Sequence, residues 1–186
     1  MRNCSIFTVT NQLLLKLAAG LSVLLAQPAL AVCSLTTIGS EYQVGSYADL
    51  KLVGVADCPT SGNYRLTADI DAIVSATEAS NGTGGFWGFT PIGFGQSPYA
   101  FSGKFHGGLH VIRNLTVNHF NAGLFLELSG TVDSLGVEGV SINTTNYAGC
   151  IASYSSGIVD RSYCTGSVTS TGNYVGGLVG LQYGQS

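Results

Sequence analysis

Charge is what this chain has least of. Lys, Arg, Asp and Glu make up 9% of its 186 residues, against about 25% in an average soluble domain. The seven basic residues form no cluster that could neutralise phosphates, which sets nucleic-acid binding aside. Several catalytic signatures are also absent. There is no H-E-x-x-H, no G-x-S-x-G elbow and no C-x-x-C pair, so a zinc peptidase, a serine hydrolase and a zinc knuckle have no local support. Beyond the N-terminus no apolar run is long enough to cross a membrane. Disorder is excluded from the other side, because 45% of residues are apolar. Glycine is abundant, at 26 residues.

What is present is a repeat. Gly123, Cys150 and Gly177 lie 27 residues apart, as do Leu124, Ile151 and Leu178, and Gly130, Gly157 and Gly184. Val132/Val159, Asp133/Asp160 and Gly139/Gly166 share the interval. A fixed period of this size marks a solenoid whose units bury their apolar faces on one another. Short apolar runs broken by Gly, with no helical register, make each unit β. The expectation is an all-β parallel β-helix with coils of about 27 residues. Leu124, Ile151 and Leu178 should stack inward along it.

The N-terminus reads as an export signal: Arg2 and Lys16 supply charge, Leu17 to Ala26 the apolar core, and Ala29-Leu30-Ala31 a small-x-small cleavage site. A lipid-attachment box at Cys33 is disfavoured by Val32 before it. Cleavage after Ala31 removes two basic residues and takes the net charge from −3 to −5. Cys4 leaves with the signal. Cys33, Cys58, Cys150 and Cys164 remain, an even number in an exported chain, which favours disulfides. Of three connectivities, Cys33–Cys58 and Cys150–Cys164 are favoured because each pair is close in sequence.

Four segments follow: a signal at 1–31, an N-terminal cap at 32–59, first coils with an inserted loop at 60–121, and repeats at 122–186. Val32 to Val44 is a candidate first strand. Ser46 is a good N-cap for a short helix from Tyr47 to Val53, which would cover the solenoid's open end. Tyr64 to Asp71 alternates as a strand, placing Asp69 and Asp71 on one face. Ala76 to Gly88 is a Gly/Asn/Thr-rich loop carrying Trp87, the chain's one tryptophan.

The string from Phe101 to Thr116, F-S-G-K-F-H-G-G-L-H-V-I-R-N-L-T, resembles a segment preceding the repeats of bacterial GLUG-motif proteins. Gly177-Leu178-Val179-Gly180 reproduces the motif itself. Gly123 to Leu126 and Cys150 to Ser153 are degenerate copies, and Tyr64 to Asp71 with Pro91-Ile92-Gly93 is similar to the family's lead-in. The likeness covers about Tyr47 to Gly184. At His106 the family usually has Asp. The resemblance implies a secreted or surface-displayed β-helix, of the kind found in filamentous-haemagglutinin-like adhesins and beside the catalytic part of some immunoglobulin A peptidases.

Against that background the candidate chemistry is sparse. His106 and His110 have helical i, i+4 spacing, but Gly107-Gly108 between them removes its force; with His119 they are read as structural, and no metal or other cofactor is expected. Asp133 and Asp160 should stand about 4.8 Å apart on stacked strands, two solvated carboxylates rather than a glycosidase pair. Tyr147, Tyr154, Tyr163, Tyr174 and Tyr183 recur through the repeats and suggest a ladder. The expected function is a non-catalytic extracellular module for adhesin-like binding or display. Trp87, Tyr154, Tyr163, Asp133 and Asp160 are its candidate contacts for a carbohydrate or protein ligand. The open C-terminal edge offers self-association, and the third repeat reads as truncated. The alternatives are a secreted carbohydrate-active enzyme using Asp133, Asp160 or the Asp69/Asp71 pair, and a stalk beside a peptidase domain absent from this chain.

Overall fold

The computed structural model describes residues 32–184 apart from Ala56 and Ser97; the expected export signal lies outside the described residues. The described part begins with a hairpin, β1 (Thr37–Ile38) against β2 (Glu41–Val44), where one strand was expected. Gly39 turns it, at a φ of +61°. Then comes a single helical turn, α1 (Tyr47–Leu50), three residues shorter than the sequence suggested. Ser46 caps it, its hydroxyl accepting from the Asp49 N–H at 3.1 Å.

From there short strands recur in a fixed cycle over three sheets. The cycle runs β3 (Asn63–Leu66), β4 (Ile70–Asp71) and β5 (Ala100–Phe101), with residues 72–99 inserted between the last two. Next come β6 (Lys104–His106), β7 (Val111–Arg113) with β8 (Thr116–Val117), and β9 (Phe125–Leu128). They are followed by β10 (Thr131–Asp133), β11 (Gly136–Thr144) and β12 (Ala152–Ser155), then β13 (Ile158–Asp160), β14 (Tyr163–Ser170) and β15 (Val179–Gln182). The first sheet has the order β1-β2-β3-β6-β10-β13, the second β14-β11-β7-β4 with β8 also on β11, and the third β15-β12-β9-β5. Every pairing between these strands except the first hairpin is parallel. Parallel neighbours that are consecutive coils define a β-solenoid. The expected strand from Tyr64 to Asp71 is thus broken at a corner into β3 and β4.

Coil length is not a strict 27. Lys104, Thr131 and Ile158 pair at that interval on the first sheet, whereas Val111 pairs Gly136, 25 residues on. Between β11 and β14 a shift after Val137 pairs Val140 with Gly166. Gly139 and Gly166, a repeat pair in sequence, are therefore offset in space.

Inward columns follow the register. On the first sheet Tyr64, Phe105 and Val132 align and are fully buried, with Val159 partly buried beyond them. On the second, Ile70, Ile112, Val137 and Cys164 align. Phe101, Phe105 and Phe125 pack mutually, their ring centroids 4.9–6.5 Å apart. Leu124 and Ile151 are fully buried as expected, but Leu178 keeps 36% of its surface. Glycine is obligatory where the third sheet turns into the first. A Cβ on Gly103 would fall 1.9 Å from the Gly62 carbonyl oxygen, and one on Gly130 equally close to that of Gly103.

Two disulfides fasten this frame. Cys33–Cys58 ties the opening segment to the loop after α1, and Cys150–Cys164 joins the corner before β12 to β14 of the following coil, with Cα atoms 6.4 Å apart. The second bond links successive coils rather than lying within one unit.

Candidate functional site

The insertion is where the coil departs from its own rhythm. Asn63 pairs Lys104 across 41 residues instead of 27. The excess leaves as a 3-10 segment, Ile73–Thr77, and a loop that returns along the edge of β8. Gly88 bridges Val117 antiparallel, Phe89 N–H donates to the Thr116 carbonyl at 2.8 Å, and Asn118 N–H donates to the Trp87 carbonyl at 2.7 Å. Gly88 permits this approach: its φ is +77°, and a Cβ would meet the Thr116 oxygen at 2.4 Å. The main chain of Trp87 is thereby fixed against the solenoid.

Its indole stacks on the His119 imidazole, centroids 5.5 Å apart at 29°. Phe94 packs on the same imidazole at 5.0 Å. Trp87 remains 42% exposed and Phe120 62%, while His119 is 9% exposed. Burial holds the His119 pKa below its ordinary value, so the ring is neutral at pH 7. Its Nε2 is buried without a hydrogen-bond partner among the described residues. A cleft of about 330 Å³ opens here, between Trp87 with residues 118–120 and the end of β11. A larger cleft, about 470 Å³, lies between α1 and the insertion, lined by Leu50, Val53, Val55, Phe89, Ile92 and Phe94. Lys51 and Glu78 pair at 2.8 Å on its lining, and Tyr47 donates to Glu78 at 2.6 Å. That cleft is the seam where the insertion docks on α1.

On the outer face of the first sheet Arg65, His106, Asp133 and Asp160 stand in register, as the Asp133/Asp160 spacing predicted. The two carboxylates are nevertheless unlike, and the expectation that both are solvated is corrected for Asp133. Its side chain is only 4% exposed, covered by His106, by Lys104 at 3.2 Å and by Arg161 at 3.9 Å. Burial pushes its carboxyl upward, but hydrogen bonds from Lys104 and His106 outweigh that and hold it below the usual carboxylate range. An anion so compensated is neither a proton donor near neutral pH nor an open nucleophile. An Asp at position 106 would have put like charges side by side; His106 gives Asp133 a partner instead. Asp160 is exposed and pairs Arg161 at 3.0 Å.

Asp69 and Asp71 are likewise engaged. Asp69 accepts from Arg113 at 2.9 Å and from the Val111 N–H at 3.1 Å; Asp71 accepts from Asn114 and from the Ile73 N–H, both at 3.0 Å. Among the described residues no group of three or more His, Cys, Asp or Glu is placed to hold a metal ion.

The expected tyrosine ladder is partial. Tyr147 and Tyr174 stack at 5.0 Å, and Tyr154 meets Tyr147 edge-on at 5.4 Å. Tyr163 stands on the second sheet and donates to Glu138 at 2.6 Å, while Tyr183 bonds Glu127. Of the candidate contacts Trp87 lines this cleft, whereas Tyr154, Tyr163 and the aspartates are dispersed over other faces. Phe120 and His119 were not among the expected ligand contacts. The one sequence signal for them was the long first coil, which places the insertion beside whatever follows β8.

No family model matches the chain. It is 37% identical over 147 residues, 76% of its length, to a halomucin of Haloquadratum walsbyi. It spans only 2% of that protein's length. A solved structure of a candidate immunoglobulin A1 protease from Bacteroides ovatus aligns at 17% identity with a TM-score of 0.45, over 77% of this chain and 62% of that one.

Proposed function

We propose that this chain is a non-catalytic extracellular β-solenoid module that binds a ligand in adhesin-like fashion, with the Trp87–Phe120 cleft as its contact. The carrying observation is that cleft. Two large aromatic rings stay exposed there although the Trp87 N–H and carbonyl and the Phe120 carbonyl are all hydrogen-bonded, and surface aromatics on a held loop are common in binding sites. The similarity to a halomucin and the two disulfides support an extracellular, surface setting. Among the described residues no helix is long and apolar enough to cross a membrane. The engagement of Asp69, Asp71 and Asp133 by fixed partners favours binding over turnover. A second reading, display within a long surface protein, is favoured by the 2% of the halomucin that the chain spans.

The test is a paired assay on the exported protein. Retention on immobilised extracellular glycans and glycoproteins is measured alongside release of reducing ends or unsaturated products. Retention without turnover is expected. Turnover that disappears in Asp133→Asn or Asp160→Asn overturns the non-catalytic assignment.

A further inference from the structure

The chemistry of the cleft narrows the ligand. Its lining is Trp87, Asn118, His119, Phe120, Asn143, Thr144, Thr145 and Thr171, aromatic or neutral-polar throughout. No Lys, Arg, Asp or Glu is among them. We propose that this cleft is a subsite for an uncharged sugar residue, stacked on Trp87 or Phe120 and hydrogen-bonded by the Asn and Thr side chains. The inference rests on the binding-module reading and names the ligand class for the same site.

Four observations converge on it. First, a sugar ring has apolar C–H faces and a polar hydroxyl rim, and it is complemented by an aromatic ring beside amides and hydroxyls. Asn143, Thr145 and Thr171 are exposed around the two rings. Second, the volume of about 330 Å³ is at the small end of ligand sites, which suits a ring-sized group. Third, the absence of a cation leaves a uronate, a sialic acid or a sulfated sugar without a counter-charge, so the site selects against anionic glycans. Fourth, the site is built before any ligand arrives. The antiparallel bridge at Gly88 fixes the backbone of Trp87, His119 and Phe94 pack behind its indole, and the Thr144 hydroxyl donates to the Phe120 carbonyl. Preorganisation of this kind lowers the ordering cost of binding.

Trp87 is the chain's one tryptophan, so its fluorescence reports this cleft without labelling. The exported protein is titrated with neutral malto-, cello-, galacto-, manno- and chito-oligosaccharides. Oligogalacturonate, sialyllactose, a heparin fragment and an unrelated peptide mixture serve as comparisons. A saturable emission change with at least one neutral oligosaccharide is expected, with none from the anionic sugars. In Phe120→Ala, an exposed substitution whose folding is checked by thermal melting, affinity should fall by about ten-fold. Trp87→Phe, read by calorimetry, should keep measurable binding where Trp87→Ala loses it. Emission changes produced only by the anionic sugars or only by the peptides overturn the proposal, as does a complete lack of response to the neutral panel. If glycan-surface retention persists undiminished in both Phe120→Ala and Trp87→Ala, the sugar subsite fails and with it the cleft as the contact, while binding by another face of the module stands. Turnover of the bound glycan would instead defeat the non-catalytic reading.

Discussion

Asp133→Asn isolates what the covered carboxylate contributes. Asn keeps the shape and most of the volume, so packing is unchanged and only the charge is removed. The side chain is 4% exposed, but its three partners differ: Lys104 is 52% exposed, Arg161 is 70% exposed and His106 is 22% exposed. Screened surface pairs contribute about 0–1 kcal/mol each, so Lys104 and the distant Arg161 supply little. The His106 contact, the most sheltered, accounts for most of the loss. A charge-assisted hydrogen bond is worth about 1.5–3 kcal/mol, and the substitution also removes the counter-charge of Lys104. A destabilisation of about 2–3 kcal/mol follows. In a chain of this size that is roughly a 4–12 °C fall in Tm. Urea titration of the protein gives the free energy directly. Asp160→Asn, one coil along in the same column but exposed, should cost about 0–0.5 kcal/mol. The difference also has a pH signature. The folded-state pKa of Asp133 is depressed, so its contribution is complete above the unfolded value of about 3.9. It is lost as pH falls below that value towards the folded one. Equal effects of the two substitutions, or a wild-type excess over Asp133→Asn that does not shrink on acidification below pH 4, would refute the argument.

Four other outcomes are expected. Ile151→Asp places a charge in the buried column and should abolish cooperative folding, whereas Leu178→Asp, at the exposed end of the same column, should cost less than about 1 kcal/mol; circular-dichroism melts separate them. Gly130→Ala forces a Cβ against the Gly103 carbonyl and should destabilise by more than the ~1 kcal/mol of an ordinary surface change, seen as a lowered urea midpoint. Reducing Cys150–Cys164, or replacing both by Ser, should cost about 2–4 kcal/mol, and intact-mass analysis after alkylation without reductant should find no labelled thiol among Cys33, Cys58, Cys150 and Cys164. His119 has a folded pKa below its unfolded value of about 6.5; stability it confers at pH 7.5 should decline as pH drops below 6.5, and melts of His119→Phe should lack that decline.

The comparison of Asp133 with Asp160 shows where sequence reasoning reaches its limit. Their spacing put them in one column, and the structure agrees, because parallel coils stack through backbone hydrogen bonds that any repeat of fixed length satisfies. The spacing contained no information about cover. Asp133 is sheltered by Lys104 and His106 from the preceding coil and by Arg161 from the next, three residues whose types the repeat does not preserve. The tyrosines divide in the same way. Tyr147 and Tyr174 keep the period and stack, while Tyr163 lies on another sheet and turns to Glu138.

What the sequence determined by itself was therefore everything carried by the period. It specified an all-β solenoid, the inward place of Leu124 and Ile151, and an exposed loop bearing Trp87. Such features depend on local alternation and on one repeating distance, both of which are written along the chain. Tertiary structure alone decided the rest. It split the expected strands at corners, shifted β14 by one residue against β11, and folded the insertion back along β8 so that Trp87 came to rest on His119, 32 positions away in the sequence. Those outcomes rest on contacts between non-repeating segments, whose energies depend on which surfaces meet. That meeting is settled only once the coils are stacked.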